Sequence, residues 1–157
     1  MSRSGADLAL LLLAGFRAMA DQAQTELAGR GHEDVRPVHD FALRAILTGA
    51  DSASELGRAM SVTKQAAAKT IAALETRGYV AREPDPDDGR RMRLRVTEHG
   101  QALMREGEAV FAELRERWER QVGAASVAAL EGTLRQLVGD DAIRIDRPGW
   151  DAADPDA

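Results

Sequence analysis

The chain has 157 residues, of which 44% are hydrophobic, enough to bury the core of one domain. It contains no cysteine, which excludes disulfides, cysteine zinc sites and thiol chemistry. The formal net charge is −5. Residues 58–96 carry nine basic and five acidic side chains, a net charge of +4, whereas the rest of the chain carries −9. A basic segment within an acidic chain is typical of a module that binds a polyanion.

The N-terminal segment is predicted to form a helix over about residues 7–29. Its apolar residues 8–14 follow Arg3, and small residues follow them, a pattern that also occurs in secretory signal peptides. Arg17 interrupts this pattern, and apolar residues continue at helical spacing to Leu27, which favours a structural helix. Because the helix is apolar nearly all round, we expect it to be buried on more than one face, partly against a second subunit.

Three helices are predicted next. The first covers residues 37–47, since a proline at the first turn is followed by apolar side chains at helical spacing. Ser52 and Glu55 predict a capping box at the start of a short second helix. Thr63 is predicted to cap a longer third helix that ends at Gly78.

Two strands and two further helices follow. Residues 79–83 and 92–96 are predicted strands, because alternating apolar residues flank a segment rich in proline, aspartate and glycine. Thr97 is predicted to cap a long helix, and Ser126 is predicted to open the last one. Residues 140–157 are acidic and aperiodic, which indicates a flexible tail.

The order of short helix, tight turn, longer helix and hairpin predicts a winged helix-turn-helix over about residues 37–100. The predicted fold class is mainly α with a small β-hairpin wing. The winged helix-turn-helix lobe would join a helical dimerisation lobe made of residues 7–29 and 101–138. Together the two lobes predict a single domain over residues 1–139.

The helix after Thr63 has a predicted core face formed by Ala66, Ala67, Thr70, Ile71 and Leu74. The opposite face combines small side chains with long polar ones, which can approach a DNA major groove closely. The chain has 19 arginines but only two lysines, and both lysines lie on this helix. The alternative is that they are ordinary solvent-exposed side chains. The predicted DNA-binding residues of this motif are Ser61, Thr63, Lys64, Gln65, Ala68 and Lys69.

The hairpin turn supplies the second predicted DNA contact. Arg90, Arg91 and Arg93 are candidate contacts, because a guanidinium beside a glycine turn can enter a minor groove or contact phosphates. Asp88 is predicted to accept a hydrogen bond from the Arg90 guanidinium and to hold it extended. The alternative for Asp88 is an ordinary turn aspartate.

A resemblance to MarR-type (multiple antibiotic resistance regulator) transcription factors is carried by residues 52–100, SASELGRAMSVTKQAAAKTIAALETRGYVAREPDPDDGRRMRLRVTEHG. Asp88 and Arg90 match the family's D-x-R pattern in the wing. The resemblance covers about residues 8–138. It implies a homodimer that binds double-stranded DNA at a pseudo-palindromic operator, usually as a repressor, and that often releases DNA when a small phenolic or anionic ligand binds. We expect such a regulator to be cytoplasmic and to need no cofactor.

By position, the resemblance implies that Thr63, Gln65 and Lys69 face the major groove and that Arg90 faces the minor groove. Gly57 departs from the alanine usual in the family, and the lack of cysteine separates the chain from peroxide-sensing members.

The resemblance also implies a ligand cleft between the two lobes. Arg17 is the candidate anchor for an anionic ligand, although a pairing with Asp21, four residues on, is the alternative. The candidate ligand-binding residues are Phe16, Arg17, His39, Phe41 and Leu43.

No catalytic motif is found, so an enzyme is not expected. Three histidines are isolated in the sequence, at positions 32, 39 and 99. A zinc site formed by His32, Glu33, Asp34 and His39 is an alternative.

No run approaches the roughly 18 apolar residues that span a membrane, so no membrane partner is expected. The runner-up function is a winged-helix interaction or anti-regulator module that does not read DNA, which the basic wing argues against.

Overall fold

The computed structural model describes residues 4–139, which form six helices and one antiparallel two-stranded hairpin. In chain order the elements are α1 (Gly5–Gly29), α2 (Pro37–Leu47), α3 (Ala53–Met60), α4 (Lys64–Thr76), β1 (Val80–Pro84), β2 (Met92–Val96), α5 (Glu98–Val122) and α6 (Ala124–Val138). The predicted fold class is confirmed, and α2 and β2 have the predicted bounds. The predicted acidic tail, 140–157, lies outside the described residues.

Side-chain caps start three of the six helices where the sequence predicts them. Thr63 and Thr97 cap α4 and α5. The Ser52 hydroxyl accepts a hydrogen bond from the Glu55 main-chain N–H at 3.3 Å. The Glu55 carboxylate, however, accepts from the main-chain N–H of Asp51 at 3.2 Å. The predicted capping box of α3 is therefore only half formed.

The starts of β1 and α6 are two of the boundaries that differ from prediction, because backbone geometry overrides the local pattern there. The N–H of Tyr79 closes the end of α4 with a 2.9 Å hydrogen bond, so β1 begins at Val80. Gly123 has a φ of +93°, which ends α5 and lets α6 begin at Ala124. The prediction that Ser126 opens α6 was wrong by two residues.

The core lies where α2, α3, α4, α5 and the hairpin meet. Its largest fully buried side chains come from α2 to α5: Leu43, Leu56, Met60, Ile71, Leu74, Leu103, Val110 and Leu114. From α1, only Ala23 and Leu27 are buried, and both lie in its C-terminal half.

The N-terminal half of α1 is exposed within a single chain, so its expected burial against a second subunit stays a prediction. Leu8 is 60% exposed and Leu11 is 65% exposed. On α6, Leu137 is 74% exposed. None of the helices within residues 4–139 is long and apolar enough to cross a bilayer.

The start of α5 packs directly on the base of the hairpin. A Cβ at Gly100 would lie 2.3 Å from the Tyr79 carbonyl oxygen and 2.8 Å from a side-chain carbon of Val96. The Thr97 main-chain N–H donates to the same Tyr79 carbonyl at 3.0 Å, and its hydroxyl donates to the Gly78 carbonyl at 2.6 Å. Only glycine permits this approach, so α5 is fixed against the wing.

Candidate nucleic-acid interface

α3 and α4 form a helix-turn-helix with a tight turn. Ser61 has a φ of +54°, a left-handed conformation that reverses the chain after α3. A Cβ at the buried Gly57 would lie 3.1 Å from the Val62 carbonyl oxygen and 3.4 Å from that of Thr63. The glycine that departs from the family pattern therefore lets the turn pass close over α3.

α4 presents one buried and one exposed face. Ala67, Ile71 and Leu74 are buried as predicted, whereas Ala66, also predicted to face the core, is exposed. The exposed face combines small and long polar side chains: Lys64, Gln65, Ala68, Lys69 and Ala72. Ser61 and Thr63 are exposed just before it. We call these seven residues the recognition surface, and it contains no acidic residue.

The hairpin turn corrects the predicted role of Asp88. Its carboxylate accepts a hydrogen bond from the main-chain N–H of Arg90 at 3.1 Å, not from the Arg90 guanidinium. Its carbonyl accepts from the Arg91 N–H at 3.0 Å. Asp88 therefore stabilises the turn through main-chain hydrogen bonds, which agrees with the alternative of an ordinary turn aspartate. The Arg90 side chain makes no hydrogen bond or ion pair within residues 4–139.

Three other hairpin arginines pair with carboxylates. Glu83 accepts hydrogen bonds from Arg93 at 2.7 Å and from Arg95 at 2.8 Å. The bond from Arg93 is the main cause that lowers the pKa of the Glu83 carboxyl. Arg82 pairs with Glu75 of α4 at 2.9 Å. Arg93, predicted to contact DNA, is thus already engaged by a carboxylate.

Arg91, also predicted to contact DNA, is surrounded by three carboxylates. Its guanidinium lies 2.5 Å from Asp51, 3.4 Å from Asp85 and 3.7 Å from Glu55. Nothing in the sequence indicated this arrangement, because Asp51 and Glu55 precede Arg91 by more than thirty residues.

Three of the predicted contact residues keep an unneutralised positive charge. Within residues 4–139, Lys64, Lys69 and Arg90 have no carboxylate partner. Two of them lie on the recognition surface and the third lies at the wing tip. A phosphate backbone could pair with all three without breaking an ion pair of the protein.

Two of the histidines meet, contrary to the prediction that all three are isolated. His32 and His99 both lie against Tyr79, with ring centroids 5.6 Å and 4.6 Å away. The Tyr79 hydroxyl is 2.8 Å from His32 Nδ1, and burial raises the pKa of Tyr79. His39 lies elsewhere, and its Nδ1 accepts a hydrogen bond at 3.1 Å from the main-chain N–H of Arg36, the residue before α2. Residues 4–139 contain no group of three acidic or histidine side chains placed to hold a metal, so the zinc alternative gains no support.

A cavity of about 250 Å³ lies between α1, α2 and α5. Its apolar wall includes Ala23, Leu27, Leu103 and Phe111. Its charged edge contains Arg44, which bonds Asp40 at 2.7 Å and Glu108 at 3.3 Å, and the bond to Asp40 is the main cause that raises the Arg44 pKa. The cavity therefore offers an apolar surface next to a neutralised ion network.

The five predicted ligand-binding residues do not line this cavity: Phe16, Arg17, His39, Phe41 and Leu43. His39 and Leu43 are buried in α2, whereas Phe16 and Arg17 are exposed on α1. The alternative pairing of Arg17 with Asp21 is not formed.

A helix-turn-helix, a two-stranded hairpin and a long following helix define a winged helix-turn-helix protein. The MarR family model matches residues 37–91 of the chain. Sequence comparison with curated proteins finds no significant match.

Solved structures of MarR-type regulators have the same fold. The reduced form of MarR from E. coli has a TM-score of 0.67 at 21% identity, covering 88% of this chain and 98% of that chain. YusO from Bacillus subtilis has a TM-score of 0.64 at 20% identity, covering 87% and 98%. A variant of MepR from S. aureus, bound to an oligodeoxyribonucleotide, has a TM-score of 0.58 at 16% identity, covering 83% and 95%. These findings confirm the resemblance to the MarR family of winged-helix regulators.

Proposed function

We propose that the protein is a sequence-specific DNA-binding transcriptional regulator, not an enzyme, and that it represses transcription as a homodimer on a pseudo-palindromic operator. The observation that carries this proposal is the set of three unneutralised cations: Lys64 and Lys69 on the recognition surface, and Arg90 at the wing tip. Small side chains between the lysines allow α4 to approach base edges.

The homodimer is supported by the apolar side chains that a single chain leaves exposed. They lie mainly on the N-terminal half of α1 and on α6. A two-fold axis through these helices would relate two copies of α4. The two copies would then contact half-sites about one helical turn apart, ~10 base pairs from centre to centre.

The test starts with selection of bound duplexes from a random pool by the purified protein. We expect two inverted half-sites to be enriched. Lys69→Ala should weaken binding to the selected site by about 1 to 3 kcal/mol if Lys69 contacts a guanine edge, and should weaken binding to random duplex less. Arg105→Ala, which removes an exposed cation from α5, is the matched control and should change neither affinity.

A wild-type protein that shows no salt-dependent binding to any duplex would refute the proposal. The winged-helix interaction module would then be favoured, because such a module needs no phosphate contact.

We also propose that a small organic ligand, aromatic or anionic, weakens operator binding, and that it occupies the cavity between α1, α2 and α5. The volume and the apolar wall support this proposal. An aromatic acid or phenol that binds should weaken operator binding by roughly 5- to 150-fold. A Cβ at Gly107 meets open space, so Gly107→Leu should fill the cavity and abolish this response while leaving operator binding intact. An unaltered response in Gly107→Leu would place the ligand elsewhere, including at Arg17.

A further inference from the structure

The wing is attached to the loop between α2 and α3 at two points, and both involve Asp51. The main-chain N–H of Leu94 in β2 donates to the Asp51 carbonyl oxygen at 2.9 Å. The Arg91 guanidinium contacts the Asp51 carboxylate at 2.5 Å. One loop residue thus holds both the strand and the end of the wing turn.

The contact at Arg91 includes two further carboxylates from different elements. Asp85, whose side chain is only 12% exposed, comes from the wing, and Glu55 comes from α3. The Glu55 carboxylate also accepts the Asp51 main-chain N–H. We call Arg91, Asp51, Glu55 and Asp85 the wing latch.

The wing latch makes Arg91 poorly suited to a phosphate. Three carboxylates around one guanidinium leave a local net charge of about −2, which repels a polyanion. A phosphate would also have to replace contacts that already fill the guanidinium. The neighbouring Arg90 has no such partners within the described chain. The two adjacent arginines therefore have opposite electrostatic surroundings.

We propose that Arg91 is a positioning residue that sets the angle of the wing against α3, and thereby the distance from Arg90 to the recognition surface. An isolated two-stranded hairpin is only marginally stable, so its direction must be fixed by neighbouring elements. A wing held in place before binding loses less conformational entropy on the operator. The inference rests on the proposed DNA binding and adds a role that is distinct from contact with DNA.

The direction in which one substitution changes DNA affinity distinguishes a positioning role of Arg91 from contact with DNA. Asp51→Asn removes a negative charge near the DNA, so a purely electrostatic effect would tighten binding, more so at low salt. Loss of the wing latch would instead weaken binding, by about 3- to 10-fold if the coupling is typical of one ion-pair network. Asp87→Asn is the matched control, because it removes the same charge from a wing-turn carboxylate that contacts no other side chain within residues 4–139. It should leave binding equal or slightly tighter.

The same substitution is then made in an Arg91→Ala background, where the latch is already open. We expect Asp51→Asn to weaken binding in the wild-type background and to tighten it slightly in the Arg91→Ala background. If Asp51→Asn tightens binding as Asp87→Asn does, or acts alike in both backgrounds, the proposal is overturned.

Hydrogen exchange in the free protein separates the wing latch from DNA binding. Asp51→Asn should speed exchange of the Leu94 amide and of the Asp85 amide, which donates to the Arg91 carbonyl at 2.8 Å. Asp87→Asn should leave the exchange rates of both amides unchanged or slower. A wild-type protein that binds no duplex would refute the proposed function, whereas unchanged exchange in Asp51→Asn would overturn the wing latch itself.

Discussion

The winged lobe, residues 37–97, differs from the helical lobe, formed by α1, α5 and α6, in how much apolar surface it leaves exposed. In the winged lobe only Leu47 and Met92 are large apolar side chains with high exposure. The helical lobe exposes the remaining large apolar side chains: Leu8, Leu10, Leu11, Leu12, Leu13, Phe16, Phe111, Val122, Leu130, Leu137 and Val138. The winged lobe therefore completes its core within one chain, and the helical lobe does not.

The charged side chains also differ between the lobes, although each lobe has cations without a carboxylate partner within residues 4–139, such as Arg105 on α5 and Lys69 on α4. In the helical lobe, Arg115 pairs with Glu131 at 2.7 Å and Arg117 pairs with Glu26 at 2.6 Å. The winged lobe leaves the lysines of the recognition surface without a carboxylate. The proposed dimer would cover the apolar surface of the helical lobe, and the proposed DNA would pair with the lysines of the winged lobe.

The largest expected effect comes from charging the apolar surface of α1. Leu8→Glu combined with Leu11→Glu should separate the proposed dimer. Each leucine would lose about 1.5 to 3 kcal/mol of burial, and four are affected per dimer, so the dissociation constant should rise by more than ~1000-fold. Sedimentation at micromolar concentration measures this. Leu47→Glu charges an equally apolar, 52% exposed position of the winged lobe and should leave the assembly unchanged.

A wild-type protein that sediments as a stable, folded monomer at micromolar concentration would remove the contrast between the lobes. The exposed leucines of α1 would then need a partner other than a second copy.

A smaller effect is expected where α5 joins the lobes. Gly100→Ala should destabilise the fold by about 1 to 3 kcal/mol, because the new methyl group would overlap the Tyr79 carbonyl. Gly107→Ala, on the same helix, meets open space and should be neutral or stabilising by up to about 1 kcal/mol. Urea unfolding of both variants measures the difference. Equal stabilities would contradict the close packing of α5 on the wing.

The smallest expected effect is on the stability of the fold at low pH. Hydrogen bonds lower the pKa of Glu83 in the wing, mainly through Arg93, and of Glu131 in the helical lobe, mainly through Arg115. A glutamate whose pKa is lowered by folding stabilises the fold at pH values above its pKa in the unfolded chain, about 4.3. This stabilisation is lost as the pH falls through the pKa of the folded state. Both groups are half-buried and remain in contact with solvent, so salt should reduce the effect.

Carboxyl titration by NMR provides the measurement. Arg93→Ala should raise the pKa of Glu83 and leave that of Glu131 where it was. A joint rise of both values would mean that the two lobes share one ion network.

Local sequence signals predicted most of the fold. The bounds of α2 follow from a first-turn proline and helical apolar spacing, and those of β2 follow from strict alternation after a turn. Thr63 and Thr97 marked two helix starts because an N-cap depends on neighbours within three residues. The alternation in β2 did not give full burial, since Met92 is 51% exposed at the end of the hairpin.

Contacts between distant parts of the chain were not predictable. Tyr79 joins His32 and His99 only because the loop after α1 and the start of α5 meet beside it. The position of Arg91 beside the glycine turn indicated a DNA contact, but its guanidinium pairs with Asp51, 40 residues away in the sequence. The cavity depends on how three helices pack, which periodicity within one helix does not specify.

Because Gly100 has no side chain, α5 packs closely on the base of the wing, and a tilt of the helix would move the wing with it. The helix of 25 residues is about 37 Å long, and its first turn is fixed against the base of the wing. A rigid tilt of about 5° about the distant end would move the wing by roughly 3 Å, close to the rise of one base pair along a strand. On the proposed operator, a small tilt at the far end of α5 would therefore displace the wing by about one base step.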